Sequence, residues 1–361
     1  EKKKVFASND WVSCLDWNSQ NASLLAGFYN GTVEVLDGAL PKDILPSKSI
    51  QVVPAESSGS RCMINDAVWV RDTYVAAACQ NGNVYVIHAN TQAKHAECTN
   101  TNGQNAASLA TSATCLAMGK ASLYTGYSDG TMNTYDLSRI DDHHDQVDGD
   151  VHETKKSGSK RKASDKQGQS TMDVSSTHTF RSPSIGGSVT SMSLANNTTL
   201  LSASSDGLIA SWDLNKQVLT NTIPAGMSKY ITDISLCTTT PSLGVCSCFD
   251  GALRVFDLQS PVQVVSSILR PNLPAGQNSK AMLCVQWAPN QEFYIQAGGK
   301  DGCLYVWDIR SSRVPVHKFE NAHGPQGSVT CVQWSSTNDD EFRSFSGGSD
   351  GKIAQYRFAR T

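Results

Sequence analysis

The chain has 361 residues, a formal net charge of −3 and 17% charged residues. A near-neutral chain is not expected to bind nucleic acid over its whole surface, although a local basic patch is compatible with it. The 11 cysteines are an odd number scattered through apolar runs, which predicts reduced, buried thiols rather than a disulfide framework. No apolar run approaches the roughly 18 residues of a membrane span.

A two-residue Asn-Gly or Asp-Gly turn recurs along the chain between short apolar runs. Such a turn predicts a β-hairpin, because glycine adopts the positive φ that the turn needs without strain. Except between the third and the fourth, the turns are spaced near the roughly 40–45 residues of a WD repeat. They are Asn30-Gly31, Asn81-Gly82, Asp129-Gly130, Asp206-Gly207, Asp250-Gly251, Asp301-Gly302 and Asp350-Gly351.

Each turn joins two strands, and a third alternating run lies upstream of each pair. Three strands and a variable fourth describe one propeller blade. The last repeat lacks a fourth strand, and residues 4–8 precede the first complete repeat. Because an open edge strand invites aggregation, we expect residues 4–8 to close the ring as the outer strand of the last blade. The sequence therefore predicts an all-β, seven-bladed β-propeller that forms a single domain over residues 1–361.

Residues 138–178 account for the wide spacing between the third and fourth turns. This segment has few large apolar residues, so it is predicted to be a disordered insertion loop. Its basic residues are a candidate nuclear-import signal; a nucleic-acid patch and an ordinary solvated loop are the alternatives. They are Lys155, Lys156, Lys160, Arg161 and Lys162.

Two further patterns suggest metal binding. The acidic run 141–145 contains His143 and His144, which are possible metal ligands, but a solvated loop is the favoured interpretation. His95 and Cys98 have zinc-like spacing, yet no second Cys/His pair stands nearby at finger spacing. No metal site is predicted.

Candidate catalytic patterns have structural interpretations. Residues 347–351 fit the nucleophile elbow of hydrolases, but that motif needs a strand-to-helix turn, whereas a hairpin is predicted here. His323, Ser346 and Asp350 could form a catalytic trio. The favoured interpretation is the hydrogen-bond network of WD repeats, in which Tyr356 takes the place of the usual tryptophan.

The turn aspartates are accordingly predicted to be fold determinants: Asp129, Asp206, Asp250, Asp301 and Asp350. No phosphate-binding loop, catalytic carboxylate pair or cofactor fingerprint is present in the sequence. We predict a protein without enzymatic activity or cofactor.

The repeats resemble WD repeats over nearly the whole chain, and several details resemble one subfamily. These are the start at residues 9–13, the basic insertion after blade three, residues 201–206, and the ending SGGSDGKIAQYRF at residues 346–358. The chain is similar to the WD-repeat subunits of PeBoW complexes, which assemble the large ribosomal subunit with pescadillo and the block-of-proliferation protein. It departs from them in lacking most Gly-His dipeptides. The ubiquitin-like domain that contacts the midasin ATPase in that subfamily is expected upstream of Glu1.

The resemblance implies a scaffold of the pre-60S ribosomal particle in the nucleolus and nucleoplasm, docked face to face on a partner's propeller. The residues expected to contact that partner, each of which could instead cap its own blade, are Asp10, Trp11, Tyr29, Tyr127, Tyr230, Phe249 and Lys300. Two other functions remain open at this point: a different WD-repeat adaptor, such as a chromatin-associated or protein-import receptor, and an enzyme built on a propeller. Direct RNA contact through the basic loop also remains open.

Overall fold

The structure is a computed structural model, and the residues it describes are 2–8, 10–37, 46–52, 62–99, 111–140, 171–182, 187–224, 230–260, 264–269, 281–311, 314–335 and 341–359. Its strands form seven separate sheets, six with four strands and one with five. The innermost strands of all seven sheets line one central channel. The predicted all-β, seven-bladed β-propeller is therefore confirmed.

The strands are numbered β1 to β29 in chain order. The inner strands are β2 (Val12–Asn18), β6 (Ile64–Val70), β10 (Ala113–Met118), β15 (Val189–Asn196), β19 (Ile231–Leu236), β23 (Met282–Trp287) and β27 (Val329–Ser335). The second strands are β3 (Ser23–Phe28), β7 (Tyr74–Cys79), β11 (Ser122–Tyr127), β16 (Thr199–Ser204), β20 (Leu243–Cys248), β24 (Tyr294–Gly299) and β28 (Glu341–Gly348).

The third strands are β4 (Thr32–Asp37), β8 (Val84–His88), β12 (Thr131–Asp136), β17 (Leu208–Asp213), β21 (Ala252–Asp257), β25 (Leu304–Asp308) and β29 (Lys352–Ala359). The outer strands are β5 (Pro46–Gln51), β9 (Lys94–Cys98), β14 (His178–Arg181), β18 (Val218–Pro224), β22 (Val264–Leu269), β26 (His317–Phe319) and β1 (Lys2–Ala7). A 3-10 turn spans Ile309–Ser311. Across the described ranges, no helix is long and apolar enough to cross a membrane.

The seven predicted hairpin turns connect the second and third strands of the blades. Their glycines all have positive φ, between 71° and 89°. At Gly351, a Cβ would lie 2.3 Å from the carbonyl oxygen of Ser8, so both the backbone angle and the space require glycine. The motif at residues 347–351 is thus the turn of the β28–β29 hairpin.

The ring closes through β1, which pairs antiparallel with β29, from Lys2 opposite Tyr356 to Ala7 opposite Lys352. The N–H of Ser8 extends this pairing by donating to the carbonyl of Gly351 at 2.7 Å. The first strand of the chain is therefore the outer strand of the last blade, as predicted.

The apolar core is divided into seven clusters, one between each pair of neighbouring blades. The cluster between blades 7 and 1, for example, stacks Trp17 on Phe345 with ring centroids 5.6 Å apart. Each blade therefore buries both of its faces against its neighbours, and every core cluster is formed by two blades.

Inner-strand cysteines fill a specific place in this packing. In register, Cys14 lies opposite Gly27, Cys115 opposite Gly126, Cys284 opposite Gly298 and Cys331 opposite Gly347. A Cβ on any of these glycines would lie 2.5–2.6 Å from the Sγ atom. All 11 cysteines are free and 10 of them are buried, as the sequence predicts.

The segment predicted as a disordered loop over 138–178 contains a strand at its end. β13 (Met172–Val174) pairs parallel with β9 and becomes the fifth strand of blade 2. Met172 and Val174, two residues apart, pack against the cluster between blades 2 and 3, which explains why this part is ordered. Residues 141–170 lie outside the described residues.

Candidate functional site

Two residues of each blade form a rim around one end of the channel: the residue before the inner strand and the residue after the second strand. In every blade the N–H of the second residue donates to the carbonyl of the first at 2.9–3.1 Å. The rim pairs are Trp11/Tyr29, Met63/Gln80, Ser112/Ser128, Ser188/Ser205, Tyr230/Phe249, Ala281/Lys300 and Ser328/Ser349.

Two of these pairs are aromatic and exposed. Trp11 and Tyr29, in blade 1, are 51% and 37% exposed with ring centroids 5.5 Å apart. In blade 5, Tyr230 and Phe249 are 45% and 52% exposed with centroids 5.7 Å apart. The Nζ atom of Lys300 lies 5.8 Å from the centroid of the Phe249 ring. Five of the seven residues predicted to contact a partner therefore lie on the rim, and three of them form one cluster.

The other two predicted contact residues, Asp10 and Tyr127, are not rim residues. Asp10 precedes Trp11 and is half-buried, with its N–H 3.3 Å from the hydroxyl oxygen of Ser8. Tyr127 is fully buried, and its hydroxyl is 2.8 Å from that of Tyr135. It corresponds to buried Phe28 of blade 1, one residue before the rim position, and successive strand side chains point to opposite faces. The prediction of a contact role is wrong for Tyr127.

Serine pairs close the rim in blades 3, 4 and 7. In each, the hydroxyl of the second serine accepts the N–H of the first: Ser128 from Ser112 at 3.0 Å, Ser205 from Ser188 at 3.0 Å, and Ser349 from Ser328 at 2.9 Å. These blades therefore satisfy their rim groups internally, whereas blades 1 and 5 present aromatic surface.

The channel begins at a mouth cavity of about 430 Å³, lined on one side by Tyr230 and Phe249 and elsewhere mainly by small polar residues. A second cavity of about 340 Å³ continues inward and is lined by all seven inner strands. The two cavities share residues of blades 2 to 6: Asn65, Thr114, Thr190, Thr232 and Leu283. They therefore form one continuous passage.

Three aspartates that the sequence reasoning missed face this channel, and each joins its blade to the next. Asp16 accepts the N–H of Trp69 at 2.8 Å, and Asp66 accepts that of Leu116 at 2.8 Å. Asp233 accepts the N–H of Val285 at 2.9 Å. A charged residue inside an apolar alternating strand was the available sequence signal.

The channel environment shifts the acidity of these carboxylates. Burial raises the pKa of Asp16 and Asp233 to about 6 and that of Asp66 to about 7, against the opposing effect of the backbone N–H donors. The negative charges of Asp16 and Asp233 contribute to the rise at Asp66.

The trio of His323, Ser346 and Asp350 forms a buried network in blade 7. His323 Nδ1 is 2.8 Å from Asp350 Oδ1, and its Nε2 is 2.7 Å from Ser346 Oγ. Ser346 Oγ is in turn 3.0 Å from the hydroxyl of Tyr356. Both imidazole nitrogens and the serine are engaged within the blade, and His323 and Ser346 are almost completely buried. This geometry suits a structural network rather than a nucleophile exposed to substrate.

The five turn aspartates each accept the N–H of the residue two positions later, at 3.0–3.4 Å. Their other partners vary: Asp301 binds the hydroxyl of Tyr305 at 2.7 Å, and Asp250 forms an ion pair with Arg254 at 2.7 Å. Each blade thus fixes its turn with its own side chains.

The remaining sequence candidates are the basic residues of the insertion, the acidic run and the pair His95 and Cys98. Lys155, Lys156, Lys160, Arg161 and Lys162, and the acidic run 141–145, lie outside the described residues. His95 packs against Tyr74 with ring centroids 5.2 Å apart, and Cys98 is buried. In the part of the chain that the structure describes, no group of three or more His, Cys, Asp or Glu residues is placed to hold a metal ion.

Comparison with protein families matches the chain to the family described as "WD domain, G-beta repeat" over residues 1–37, 174–213 and 273–308. The first segment covers the closing strand β1 and the first three strands of blade 1. The second covers the outer strand of blade 3 and the first three strands of blade 4, and the third covers the first three strands of blade 6. The seven-bladed architecture makes the chain a β-propeller, and these three segments match WD40 repeats.

Among curated proteins, the chain is similar to the DNA damage-binding protein CMR1 of Scheffersomyces stipitis, with 27% identity over 40% of this chain and 31% of that protein. It is 24% identical to the ribosome biogenesis protein YTM1 of Laccaria bicolor, over 38% of this chain and 29% of that protein. It is 25% identical to the ribosome biogenesis protein WDR12 homolog of Drosophila mojavensis, over 48% of this chain and 38% of that protein. The chain thus spans less than two fifths of the length of these relatives.

Proposed function

We propose that this chain is a non-catalytic scaffold of large ribosomal subunit biogenesis that acts in pre-rRNA processing and pre-60S maturation. A role in ribosome biogenesis is supported by the similarity to the ribosome biogenesis proteins YTM1 and WDR12 homolog. The observation that carries a binding role is the pair of exposed aromatic clusters on one rim, Trp11/Tyr29 and Tyr230/Phe249.

Exposed aromatic pairs are suited to protein recognition. Tryptophan and tyrosine dominate the small set of interface residues that contribute most binding energy, and large rings bury much apolar area at low conformational cost. All four rings project from the end of the propeller where the rim pairs lie, and Lys300 adds a positive charge beside Phe249. A partner propeller docked face to face on this rim would bury them together.

The partners in this proposal are a block-of-proliferation-type WD protein and pescadillo, within the pre-60S particle. Contact with the midasin ATPase would be made through a ubiquitin-like domain upstream of Glu1. The place of action is the nucleolus and nucleoplasm, with the basic run at Lys155–Lys156 and 160–162 as the import signal. Direct RNA contact has no assigned site.

The proposal is tested by measuring binding of the purified block-of-proliferation-type partner to the full chain. The double variant Tyr230→Ala/Phe249→Ala should bind at least about tenfold more weakly, because interface aromatics commonly contribute 1–2 kcal/mol or more each. The matched control is Val218→Ala/Leu219→Ala, which removes two exposed apolar side chains from the outer strand of blade 4 and should leave binding unchanged. Unchanged binding in the aromatic variant would remove this face from the proposal.

A second candidate is a chromatin-associated WD-repeat adaptor, which the similarity to the DNA damage-binding protein CMR1 favours. Affinity purification of the tagged chain with mass spectrometry separates the two functions, since they require different partners. Enrichment of pre-60S proteins supports the ribosomal role, and enrichment of chromatin proteins without them supports the alternative.

A further inference from the structure

The strand β13 is an addition to blade 2, which already has the four strands of an ordinary blade. The other six sheets have four strands, and β13 is the fifth strand of its sheet. It pairs parallel with β9 over three residues, whereas the other three pairings of blade 2 are antiparallel. Because parallel pairs are slightly less stable per residue, β13 is held by a short pairing of the weaker kind.

Two apolar side chains attach β13 to the blade. Met172 lies opposite Ala96, and Val174 lies opposite Cys98. Ala96 and Cys98 are fully buried in the cluster between blades 2 and 3, and Met172 and Val174 pack against that cluster while staying partly exposed. The outer edge of blade 2 therefore accepts an extended segment in which two apolar residues are separated by one other residue.

The central residue of β13 fits this edge poorly. Asp173 is exposed and lies opposite Glu97. The carboxylate of Glu97 already accepts Asn83 Nδ2 at 2.8 Å and forms an ion pair with Lys94 Nζ at 2.5 Å. Like charges directly opposite each other destabilise a strand pair, and aspartate is depleted in strands. A neutral residue at the position of Asp173 would therefore pair better with β9.

The pairing of β13 also covers only part of β9. β9 has five residues, Lys94–Cys98, and the register with β13 runs from Ala96 to Cys98. Lys94 and His95 lie outside that register. A longer strand can pair with all five residues, and main-chain hydrogen bonds supply affinity when an extended peptide adds to the edge of a sheet. A longer segment would thus bind this edge more tightly than β13 does.

We propose that the outer edge of blade 2 is a docking site for an extended segment of a partner protein, which displaces β13 and runs parallel to β9. The segment carries apolar side chains at the positions of Met172 and Val174 and a neutral residue between them. β13 is then an intramolecular competitor that keeps weaker segments off the edge. This inference goes beyond the proposed function, because β9 is an outer strand, whereas the rim pairs flank the inner and second strands.

The test measures fluorescence anisotropy of the labelled peptide Ser-Thr-Thr-Met-Thr-Val-Ser with the full chain. Val174→Asp places a carboxylate in the apolar contact and should release β13. This variant should bind the peptide at least about tenfold more tightly than the unsubstituted chain, because a tethered competitor acts at a high effective concentration. Asp173→Thr removes the like-charge contact, so it should strengthen β13 and weaken peptide binding about threefold.

A peptide of the same composition is the matched control. In Ser-Thr-Met-Thr-Thr-Val-Ser, the two apolar side chains are three residues apart and point to opposite faces of a strand. Only one of them can then reach the cluster between blades 2 and 3, so this peptide should bind at least about tenfold more weakly. Tyr230→Ala/Phe249→Ala, which changes the rim, should leave binding of the first peptide unchanged.

Hydrogen exchange shows whether β13 is displaced. Saturating peptide should speed amide exchange in residues 171–175 of the unsubstituted chain. Equal binding of the two peptides, equal affinity of Val174→Asp and the unsubstituted chain, or binding without faster exchange in 171–175 would overturn the inference. Asp173→Thr changes an exposed residue and should fold normally, so unchanged or tighter peptide binding by that variant would overturn it even if Val174→Asp were unstable. None of these failures would affect the rim, and the proposed function would stand.

Discussion

The aromatic rim pairs of blades 1 and 5 and the serine rim pairs of blades 3, 4 and 7 occupy the same backbone positions. The same N–H to carbonyl bond fixes both kinds of pair. In the serine blades a second bond, from the first N–H to the second hydroxyl, satisfies the rim. In the aromatic blades the side chains extend into solvent instead. The backbone of the repeat thus sets the place, and two side chains decide whether a blade closes its rim or presents a binding surface.

The largest expected effect on stability is the difference between an exposed rim position and the buried strand position one residue before it. Tyr127→Ala should lower the free energy of unfolding by about 3–5 kcal/mol, since it empties a fully buried aromatic site. Tyr29→Ala, at the exposed rim position of blade 1, should lower it by less than about 1.5 kcal/mol, mainly through loss of the ring contact with Trp11. Urea denaturation of both variants checks this, and similar losses would contradict the assigned rim positions.

The channel beneath both kinds of rim should make stability depend on pH. The folded-state pKa values of about 6 to 7 for Asp16, Asp66 and Asp233 exceed the ordinary carboxyl value of 3.8. The folded state therefore binds more protons, and the stabilisation present at low pH is lost as pH rises through 6 to 7. We expect the free energy of unfolding to be on the order of 2 kcal/mol smaller at pH 8 than at pH 6.

Asp66→Asn is the variant that isolates this effect. It removes the group with the highest of the three pKa values, so the difference in unfolding free energy between pH 6 and pH 8 should fall by more than half. Because both oxygens of Asp66 accept N–H groups, the variant will be less stable at both pH values, and only the difference is informative. A protein more stable at pH 8 than at pH 6 would contradict the prediction.

Removing the side-chain hydrogen bond of a serine rim pair should have a smaller effect on the unfolding free energy. Ser349→Ala removes the acceptor of the Ser328 N–H and should cost about 1 kcal/mol of unfolding free energy. Partner binding should not change, since this blade offers no aromatic surface there. Ser311→Ala, at an exposed serine in the 3-10 turn, is the control and should change neither quantity.

Converting an aromatic rim into a serine rim should have the smallest effect on stability. In Tyr230→Ser/Phe249→Ser, the new hydroxyl at 249 can accept the N–H of residue 230, as Ser128 accepts that of Ser112. The unfolding free energy should stay within about 0.5 kcal/mol, while binding of the proposed partner is lost. A large destabilisation would show that the aromatic pair of blade 5 supports the fold rather than recognition.

The fold could be predicted because it is repetitive and local. Seven turns with obligatory glycines gave the blade count, and the unpaired run at residues 4–8 gave the closing strand. The strand β13 within the insertion was harder to predict. Met172 and Val174 pack against the core because β9, which is distant in sequence, lies beside them. Composition cannot show such a contact.

Site residues could be predicted only where the repeat position was assigned correctly. The rim positions were assigned correctly for Trp11, Tyr29, Tyr230, Phe249 and Lys300. Tyr127 lies one residue before the rim residue Ser128, and its side chain therefore points into the core. The channel aspartates went unnoticed, because their partners are backbone N–H groups of neighbouring blades. Sequence patterns within one repeat do not identify such partners.

The closing strand also sets an order of events during synthesis. β1 precedes every other strand in the chain, and its partner β29 follows them all. As the chain emerges, blades 1 to 6 can pair their strands in turn, but β1 must wait unpaired until the ribosome has made nearly the whole propeller. Until β29 has been made, β1 has no partner strand in this chain, and an unpaired strand edge is the kind of surface that nascent-chain chaperones protect. Pairing of β1 with β29 then closes the ring of seven blades.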